Sequence, residues 1–251
     1  MKKILVRADD LGYSEGVNYG IAKSVKEGII CSVGVMPNMD AISHGLKLLE
    51  GTGVCLGQHT NICIGRPITD PTLIPSIVQA NGHFKSSREY RSAEKDFVAL
   101  DEVIIEIEAQ YHRFVELTGK QPGYFEGHAV ASKNFFKGLA IVAEKYHLKY
   151  QPACLGSEST VVGTTEVWMH MDSMNPKGYD PVAFLKEIVE HSHDYGCEIM
   201  VCHPGYLDDY ILNNSTLTIP PVPSGVTEPS NILYGFCLHG RHGQILLKPI
   251  F

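Results

Sequence analysis

The stretch KKILVRADD (residues 2–10) decides how this chain folds, because it is an apolar run typical of a β-strand that stops at two aspartates. Three later stretches have the same form and end in a histidine: VCLGQH (54–59), PGYFEGH (122–128) and CEIMVCHPG (197–205). In a barrel of alternating strands and helices, the strands' C-terminal ends emerge on one face, and that face holds the active site. The sequence therefore predicts that Asp9, Asp10, His59, His128 and His203 meet at one site.

The order of elements indicates a parallel sheet. After Ser14, a candidate N-cap, apolar residues recur on one helical face at Val17, Ile21, Val25 and Ile29. A strand-like run (31–37), a helical pattern (42–49) and the strand ending at His59 follow, and this βαβαβ order favours parallel strands with right-handed crossovers. Further helical patterns lie at 103–115, 134–147 and 181–196, with an extended run at 148–153. The expected fold is α/β, a TIM-like barrel of mostly parallel strands.

Length and charge narrow the class of protein. The chain has 251 residues, of which 44% are hydrophobic, and these can form a single barrel domain over 1–251, although 219–251 is an atypical tail without helical periodicity. A net charge of −7 without any Lys/Arg-rich run argues against nucleic acid and anionic membranes as partners. Seven cysteines, an odd number without CxxC spacing, predict buried reduced thiols. With no signal-peptide core or transmembrane run, we expect a cytoplasmic protein.

Regular patterning stops between residues 65 and 96, where Pro67, Pro71, Pro75 and the pair Asn81-Gly82 fall among charged residues. A connection of this length in a compact domain is more often functional than filler. We expect it to form part of the substrate cleft or a dimer contact.

The Asp9-Asp10 pair predicts two separate tasks. Adjacent residues of an extended chain point in opposite directions, so one carboxylate can ligate a cation while the other takes a proton from the cation's water. The alternative is that either aspartate caps the helix that begins near Ser14. Alternation along the third strand also sends His59 and Asn61 to the same side, which makes Asn61 a candidate substrate contact.

The histidines have competing explanations. His59 alone would more often be structural, but its position at a strand end favours a ligand. His128 follows Gly127, which leaves room for close approach of a metal. His203 precedes the turn at Pro204-Gly205, where a histidine suits a general acid, although it could instead bond its own turn.

One carboxylate and two imidazoles would leave open positions on a cation for water and substrate. Metal-assisted hydrolysis requires this arrangement. Mixed nitrogen and oxygen ligation suits zinc or another transition metal better than magnesium, although one aspartate with waters could hold magnesium.

These motifs together resemble the YdjC-like carbohydrate deacetylases. The resemblance covers residues 3–212 and rests on ADDLGYSEGVNYGI, GQHTNI, EGHAV, EIEAQYHRF and CHPGY. It implies a distorted (β/α) barrel, often dimeric, that removes acetyl groups from N-acetylated sugars with magnesium. It also implies roles for the five strand-end residues: Asp10, His59 and His128 as metal ligands, Asp9 as general base, and His203 as acid or oxyanion partner.

The chain departs from that family pattern twice. Val130 and Ser132 stand where further histidines are usual, which predicts different substrate contacts. The tail after Thr218 also lacks the Arg-x-x-Glu-Leu-type helix that helps close the barrel.

The expected function is metal-dependent deacetylation of a small N-acetylated sugar, such as an acetylated chitooligosaccharide. Two alternatives stay open. Another metal-dependent barrel enzyme could act on a sugar or sugar phosphate, but CEIMVCHPGY (197–206) lacks an obvious glycine-rich phosphate loop. A catalytically silent sugar-binding barrel would not need a base beside a metal ligand, so the Asp9-Asp10 pair argues against it.

Overall fold

A computed structural model describes residues 3–153, 158–171, 180–214 and 233–234 of the chain. Its strands are β1 (Ile4–Leu11), β2 (Ser32–Val35), β3 (Cys55–Thr60), β4 (Phe125–Gly127), β5 (Ser159–Val162), β6 (Thr165–His170), β7 (Cys197–Cys202), β8 (Gly205–Tyr206) and β9 (Leu233–Tyr234). Its α-helices are α1 (Glu15–Glu27), α2 (Ile42–Leu48), α3 (Ser87–Ser92), α4 (Leu100–Thr118), α5 (Lys133–Tyr146), α6 (Pro181–His191) and α7 (Asp209–Asn214), with one 3₁₀ turn at Pro71–Leu73.

Seven strands form one curled sheet in the order β4-β3-β2-β1-β7-β6-β5. All pairs are parallel except β5 with β6, which form an antiparallel hairpin at one edge. The mostly parallel α/β sheet predicted from the sequence is confirmed, and it is that of a distorted TIM-like barrel. The β5–β6 hairpin was not predicted; its two strands, of four and six residues, are short and are joined by a tight turn at Gly163.

Two apolar layers hold the sheet in place. On its outer face, alternate residues of β1 and β2, among them Val6, Ala8 and Val33, pack against α1, α2 and α6. A second cluster joins α4 and α5 to the segment that follows β3, with Ile107 and Phe135 at its centre. Neither layer fills the space at the C-terminal ends of the parallel strands, where a cavity lies, so side chains at those ends can converge there.

Local signals set several element ends as expected. The Ser14 hydroxyl accepts a hydrogen bond from Val17 N at 3.2 Å, so Ser14 caps α1 and neither Asp9 nor Asp10 does. Helix α4 ends at Gly119, whose φ of 71° places it in the left-handed region that glycine adopts without strain.

One expected boundary was wrong. The helix expected over 181–196 ends at His191. The run expected to be extended, 148–153, forms a parallel β-bridge between Tyr150 and Phe125. Cys63 and Cys202 are buried as predicted, but Cys31 and Cys55 are exposed. The atypical tail lies outside the described residues, except that Leu233–Tyr234 pairs with β8.

The long segment between β3 and α4 is an ordered layer built around buried side chains. Ile74, Ile77, Phe84 and Tyr90 are buried in it, and the Tyr90 hydroxyl donates to the carbonyl of Ile62 at 2.8 Å. Helix α4 anchors it through the buried Glu106 carboxylate, which accepts hydrogen bonds from the backbone of residues 68 and 69.

Candidate metal centre

The ends of β1, β3 and β4 bring three side chains to one point. Asp10 Oδ1 lies 3.3 Å from His59 Nε2 and 3.1 Å from His128 Nδ1, and the two ring nitrogens are 2.9 Å apart. Parallel pairing of β3 with β4 is the cause, because it aligns the strand ends that carry His59 and His128. We call Asp10, His59 and His128 the convergent cluster.

A distortion at the end of β1 directs both aspartates toward the same space. The pairing of β1 with β2 shifts register between Ala8 and Leu11, and Asp10 has a φ of 75°. Regular alternation would have sent Asp10 to the opposite face from Asp9, so the expectation of opposed carboxylates was wrong. Aspartate tolerates this left-handed conformation better than most residues.

Gly34 on β2 leaves the space that the side chains of Asp9 and His59 occupy on either side of it. A Cβ atom at this position would lie 2.7 Å from Asp9 Oδ1 and 3.1 Å from His59 Cβ. Any larger residue would push one of these two side chains out of place.

The second ring nitrogen of His59 is held by a carboxylate that the sequence patterns did not single out. Glu126 on β4 is the cross-strand partner of His59, and its Oε1 contacts His59 Nδ1. The pair is buried, with 4% of His59 and 7% of Glu126 exposed. A buried carboxylate that orients a histidine is common behind metal ligands.

Arg7 neutralises the carboxylates behind the cluster. Its Nε and Nη2 each lie 2.8 Å from a different oxygen of Asp9, its Nη2 lies 3.8 Å from Glu126 Oε2, and its Nη1 donates to Gln151 Oε1 at 3.0 Å. Only 3% of Arg7 is exposed. Burying an arginine is costly unless it is paired this completely, so its side chain is fixed.

The carboxylates and imidazoles in and behind the cluster shift one another's pKa values. Burial alone would lower the pKa of His59, but Glu126 and Asp9 outweigh it and raise that pKa to about 10. Burial would also raise the pKa of Asp10, yet His128 and His59 hold it well below its usual range. Protons on the imidazoles thus offset negative charge that a cation could offset instead.

Three observations fit a divalent cation to the convergent cluster. Bonds of about 2.0–2.2 Å in tetrahedral or octahedral geometry place neighbouring ligand atoms about 2.8–3.6 Å apart, and the separations of the three donor atoms fall in this range. Asp10 Oδ1 is buried without a well-formed hydrogen bond in the described part of the chain. With both imidazoles neutral, the three carboxylates of Asp9, Asp10 and Glu126 and the single guanidinium of Arg7 carry a net charge of −2.

A second set of possible ligands is already occupied. Asp9, His59 and Glu126 also bring donor atoms within 4.8 Å of one another. The Arg7 guanidinium contacts two of these three side chains, Asp9 and Glu126, and supplies the positive charge there. A cation at this second set would have to displace a buried arginine, so we assign it to support of the convergent cluster.

His203 reaches the same cavity from the end of β7. It lines the cavity together with Asp9 and Asp10, and its Nδ1 is buried with no hydrogen-bond partner among the described residues. The alternative in which His203 bonds its own turn therefore receives no support from the described contacts.

Asn61 lies elsewhere, although alternation had placed it beside His59. Strand β3 ends at Thr60, and the Asn61 side chain bends into the turn that follows. Its Oδ1 accepts from the backbone of residues 63 and 64, and its Nδ2 donates to Asn38 Oδ1 and Ile64 O. It is fully buried and does not line the cavity, so its contacts are structural.

The cavity above the cluster has a volume of about 490 Å³. The convergent cluster and Asp9 form its floor, and apolar side chains, among them Val130, Phe136 and Met169, form much of its wall. Arg91 reaches it from α3, so the segment 65–96 contributes a residue to this cavity; its part in a substrate cleft or a dimer contact stays a prediction. Ser132, which with Val130 departs from the family pattern, caps α5 instead: its hydroxyl accepts from Phe135 N at 3.1 Å.

The fold and site together define an α/β barrel protein with a candidate cation centre at its strand ends, and comparisons with known proteins place it more closely. The family model described as YdjC-like protein matches residues 3–221, and the chain belongs to this family.

Curated relatives and a solved structure agree with this assignment. A chitooligosaccharide deacetylase of Escherichia fergusonii is 27% identical, with 83% of each chain covered. Carbohydrate deacetylase 2 of Listeria innocua is 26% identical, covering 87% of this chain and 86% of the relative. A crystal structure from Enterococcus faecalis V583, of a protein with a proposed role in cellobiose-phosphate cleavage, superposes with a TM-score of 0.72 at 21% identity. It covers 86% of this chain and 85% of the other, and it supports the fold.

Among the described helices, none combines the length and the apolar character that a membrane span requires.

Proposed function

We propose that this protein is a metal-dependent hydrolase that removes the acetyl group from an N-acetylated sugar, such as an acetylated chitooligosaccharide. The observation that carries the proposal is the convergence of Asp10, His59 and His128, whose donor atoms lie 2.9–3.3 Å apart beside the carboxylate of Asp9. Family membership and relatives with deacetylase names support the same chemistry.

Asp10 Oδ1, His59 Nε2 and His128 Nδ1 would hold the cation. When bound, a divalent cation supplies a Lewis acid that polarises the amide carbonyl and makes water more acidic. One carboxylate and two imidazoles suit zinc or another transition metal, whereas the family resemblance favours magnesium.

Asp9 would act as general base. Burial alone would raise its pKa, but Arg7 and His59 lower it, so Asp9 stays ionised and able to accept a proton. Arg7 fixes the carboxylate's orientation at some expense of basicity. In the reaction, the oxygen of water bonds to the acetyl carbon and its proton passes to Asp9.

His203 would complete the reaction as general acid. Cleavage of the C–N bond leaves an amine that needs a proton, and the His203 ring lines the same cavity as Asp9. The products are the free amino sugar and acetate. The apolar wall of the cavity limits the access of bulk water while these protons move.

The experiment is acetate release across a panel of N-acetylated sugars, with bound metal measured in the same samples. We expect acetate from at least one N-acetylated sugar, and loss of both metal and acetate in folded His59→Ala protein. Undiminished metal in His59→Ala would refute the cation site. Sugar binding without acetate release would favour the silent sugar-binding barrel.

A second candidate is a hydrolase or other metal-dependent enzyme that acts on a phosphorylated sugar. Arg91 favours it, because this exposed guanidinium lines the cavity and pairs with no carboxylate in the described part of the chain. Including phosphorylated and unphosphorylated forms of each sugar separates the candidates: Arg91→Gln should raise KM only for a phosphorylated substrate.

A further inference from the structure

Glu126 contacts the candidate cation site through His59. It lies in the centre of the three-residue strand β4, directly across from His59 in the parallel register. Both side chains therefore project to the same face of the sheet, and the carboxylate contacts His59 Nδ1 while Nε2 faces Asp10 and His128.

The contact determines which nitrogen of His59 carries the proton. An ionised carboxylate can only accept a hydrogen bond, so Nδ1 must donate. In the neutral imidazole this leaves the Nε2 lone pair free, and Nε2 is the nitrogen that faces the other two donor atoms. Glu126 thus selects the one tautomer that can bind a cation at the convergent cluster.

Glu126 is itself held in place. Arg7 Nη2 lies 3.8 Å from its other oxygen, and Arg7 is fixed by Asp9 and by Gln151. With 7% of the residue exposed, water competes little for its carboxylate. The chain of contacts from Gln151 through Arg7 and Glu126 to His59 resists rotation of the imidazole.

We propose that Glu126 is a positioning residue that presents His59 to the cation in its Nδ1–H tautomer and strengthens it as a ligand. The proposal rests on the proposed function only in requiring that the convergent cluster binds a cation. Partners of this kind behind metal-ligating histidines typically change metal affinity by about 10–100-fold.

The test is the dissociation constant for Zn²⁺, measured by calorimetry on the full chain. We expect Glu126→Gln to bind Zn²⁺ about 10–100-fold more weakly, because a neutral amide accepts the Nδ1–H bond less strongly than a carboxylate. Glu126→Asp keeps the charge beside Arg7 but withdraws it from His59, so it should fold and still bind more weakly.

A matched control is available on the other side of the sheet. Glu198 is also a buried carboxylate that contacts imidazoles, those of His170 and His193, and we call these three residues the outer cluster. Glu198→Gln should leave Zn²⁺ affinity unchanged. Nitrogen-15 NMR of the zinc-loaded protein gives a second readout: the His59 Nδ1–H proton should be strongly downfield in wild type and move upfield in Glu126→Gln, which a loss of general stability would not cause.

The outcomes separate the two proposals. Wild-type Zn²⁺ affinity in folded Glu126→Gln and Glu126→Asp, or equal weakening in Glu198→Gln, would overturn the positioning role. If wild type bound no cation, or if His59→Ala bound as tightly as wild type, the cation site would fail and the positioning role with it.

Discussion

The convergent cluster and the outer cluster contain the same kinds of groups, one carboxylate and two imidazoles, on opposite faces of one sheet. In the outer cluster each imidazole takes a separate oxygen of Glu198, with His170 Nε2 at 2.7 Å and His193 Nδ1 at 2.9 Å. In the convergent cluster both imidazoles and one oxygen of Asp10 point at a common space.

The difference shows that convergence, rather than residue type, makes a candidate metal centre. Glu198 satisfies its two histidines, and His193 also stacks on Trp168 with ring centroids 3.8 Å apart. Among the described residues, His170, His193 and Glu198 do not form a group whose donor atoms could surround one ion. In the convergent cluster, by contrast, Glu126 satisfies the rear nitrogen of His59 and leaves its front nitrogen for a ligand.

The largest loss of stability should come from removing the positive charge behind the convergent cluster. Arg7→Met would leave Asp9 and Glu126 buried and uncompensated, and breaking a buried ion pair in this way typically costs about 3–5 kcal/mol. Urea unfolding measures the loss. The control is Arg113→Met, which breaks an exposed pair with Glu116 and should change stability by less than about 1 kcal/mol. If Arg7→Met reduced the free energy of unfolding by no more than Arg113→Met does, the pairing of Arg7 with Asp9 and Glu126 would not stabilise the fold.

Asp9→Asn should reduce turnover on the order of a hundredfold or more, because a positioned base typically contributes at least that much. Bound metal should stay at the wild-type level, since both oxygens of Asp9 are already paired with Arg7 and Asp9 is not one of the three convergent donors. Acetate release and metal content are measured on the same preparation. Near-wild-type turnover would refute the base assignment, and loss of the metal would make Asp9 a ligand.

His203→Ala should slow turnover less, on the order of tenfold to a hundredfold, since solvent can partly replace a general acid. The comparison with the outer cluster supplies the control: His193→Ala removes a histidine that does not line the cavity and should leave kcat unchanged. If His203→Ala released the cation, or if both variants lost activity equally, His203 would not be the acid.

The sequence predicted the strand-end residues because each one follows an apolar run that is visible locally. Parallel pairing then brings such ends together in any barrel of this class. The predicted order of β1, α1, β2, α2 and β3 is correct for the same reason, since alternating elements with short connections leave few topologies.

The supporting residues could not be found in that way. Arg7 and Glu126 stand inside strands, where a charged residue offers no periodic signal. The contact of Glu126 with His59 depends on the pairing of β4 with β3 across 67 residues of sequence. Asn61 was misplaced because alternation holds only while the strand lasts, and β3 ends one residue earlier. The left-handed conformation of Asp10 likewise follows from the register shift of β1, which no local pattern announces.

The smallest effect should come from the outer cluster, and its dependence on pH tests whether that cluster is only structural. Burial alone would raise the pKa of Glu198, but hydrogen bonds from His170 and His193 outweigh it and lower the pKa below the ordinary value of 4.5. A carboxyl group with a lowered folded-state pKa stabilises the fold above its unfolded-state pKa and loses that contribution as pH falls through the folded-state pKa.

Glu198→Gln should therefore reduce the free energy of unfolding by about 1–2 kcal/mol at pH 6. The difference from wild type should begin to shrink as the pH falls below 4.5, because Glu198 of the unfolded chain takes up its proton first, and it should vanish below the lowered folded-state pKa. Urea unfolding of both proteins between pH 3 and pH 7, on the order of one measurement per half unit, checks this sign. A gap that stayed constant down to pH 3 would show that packing, and not ionisation, accounts for the effect.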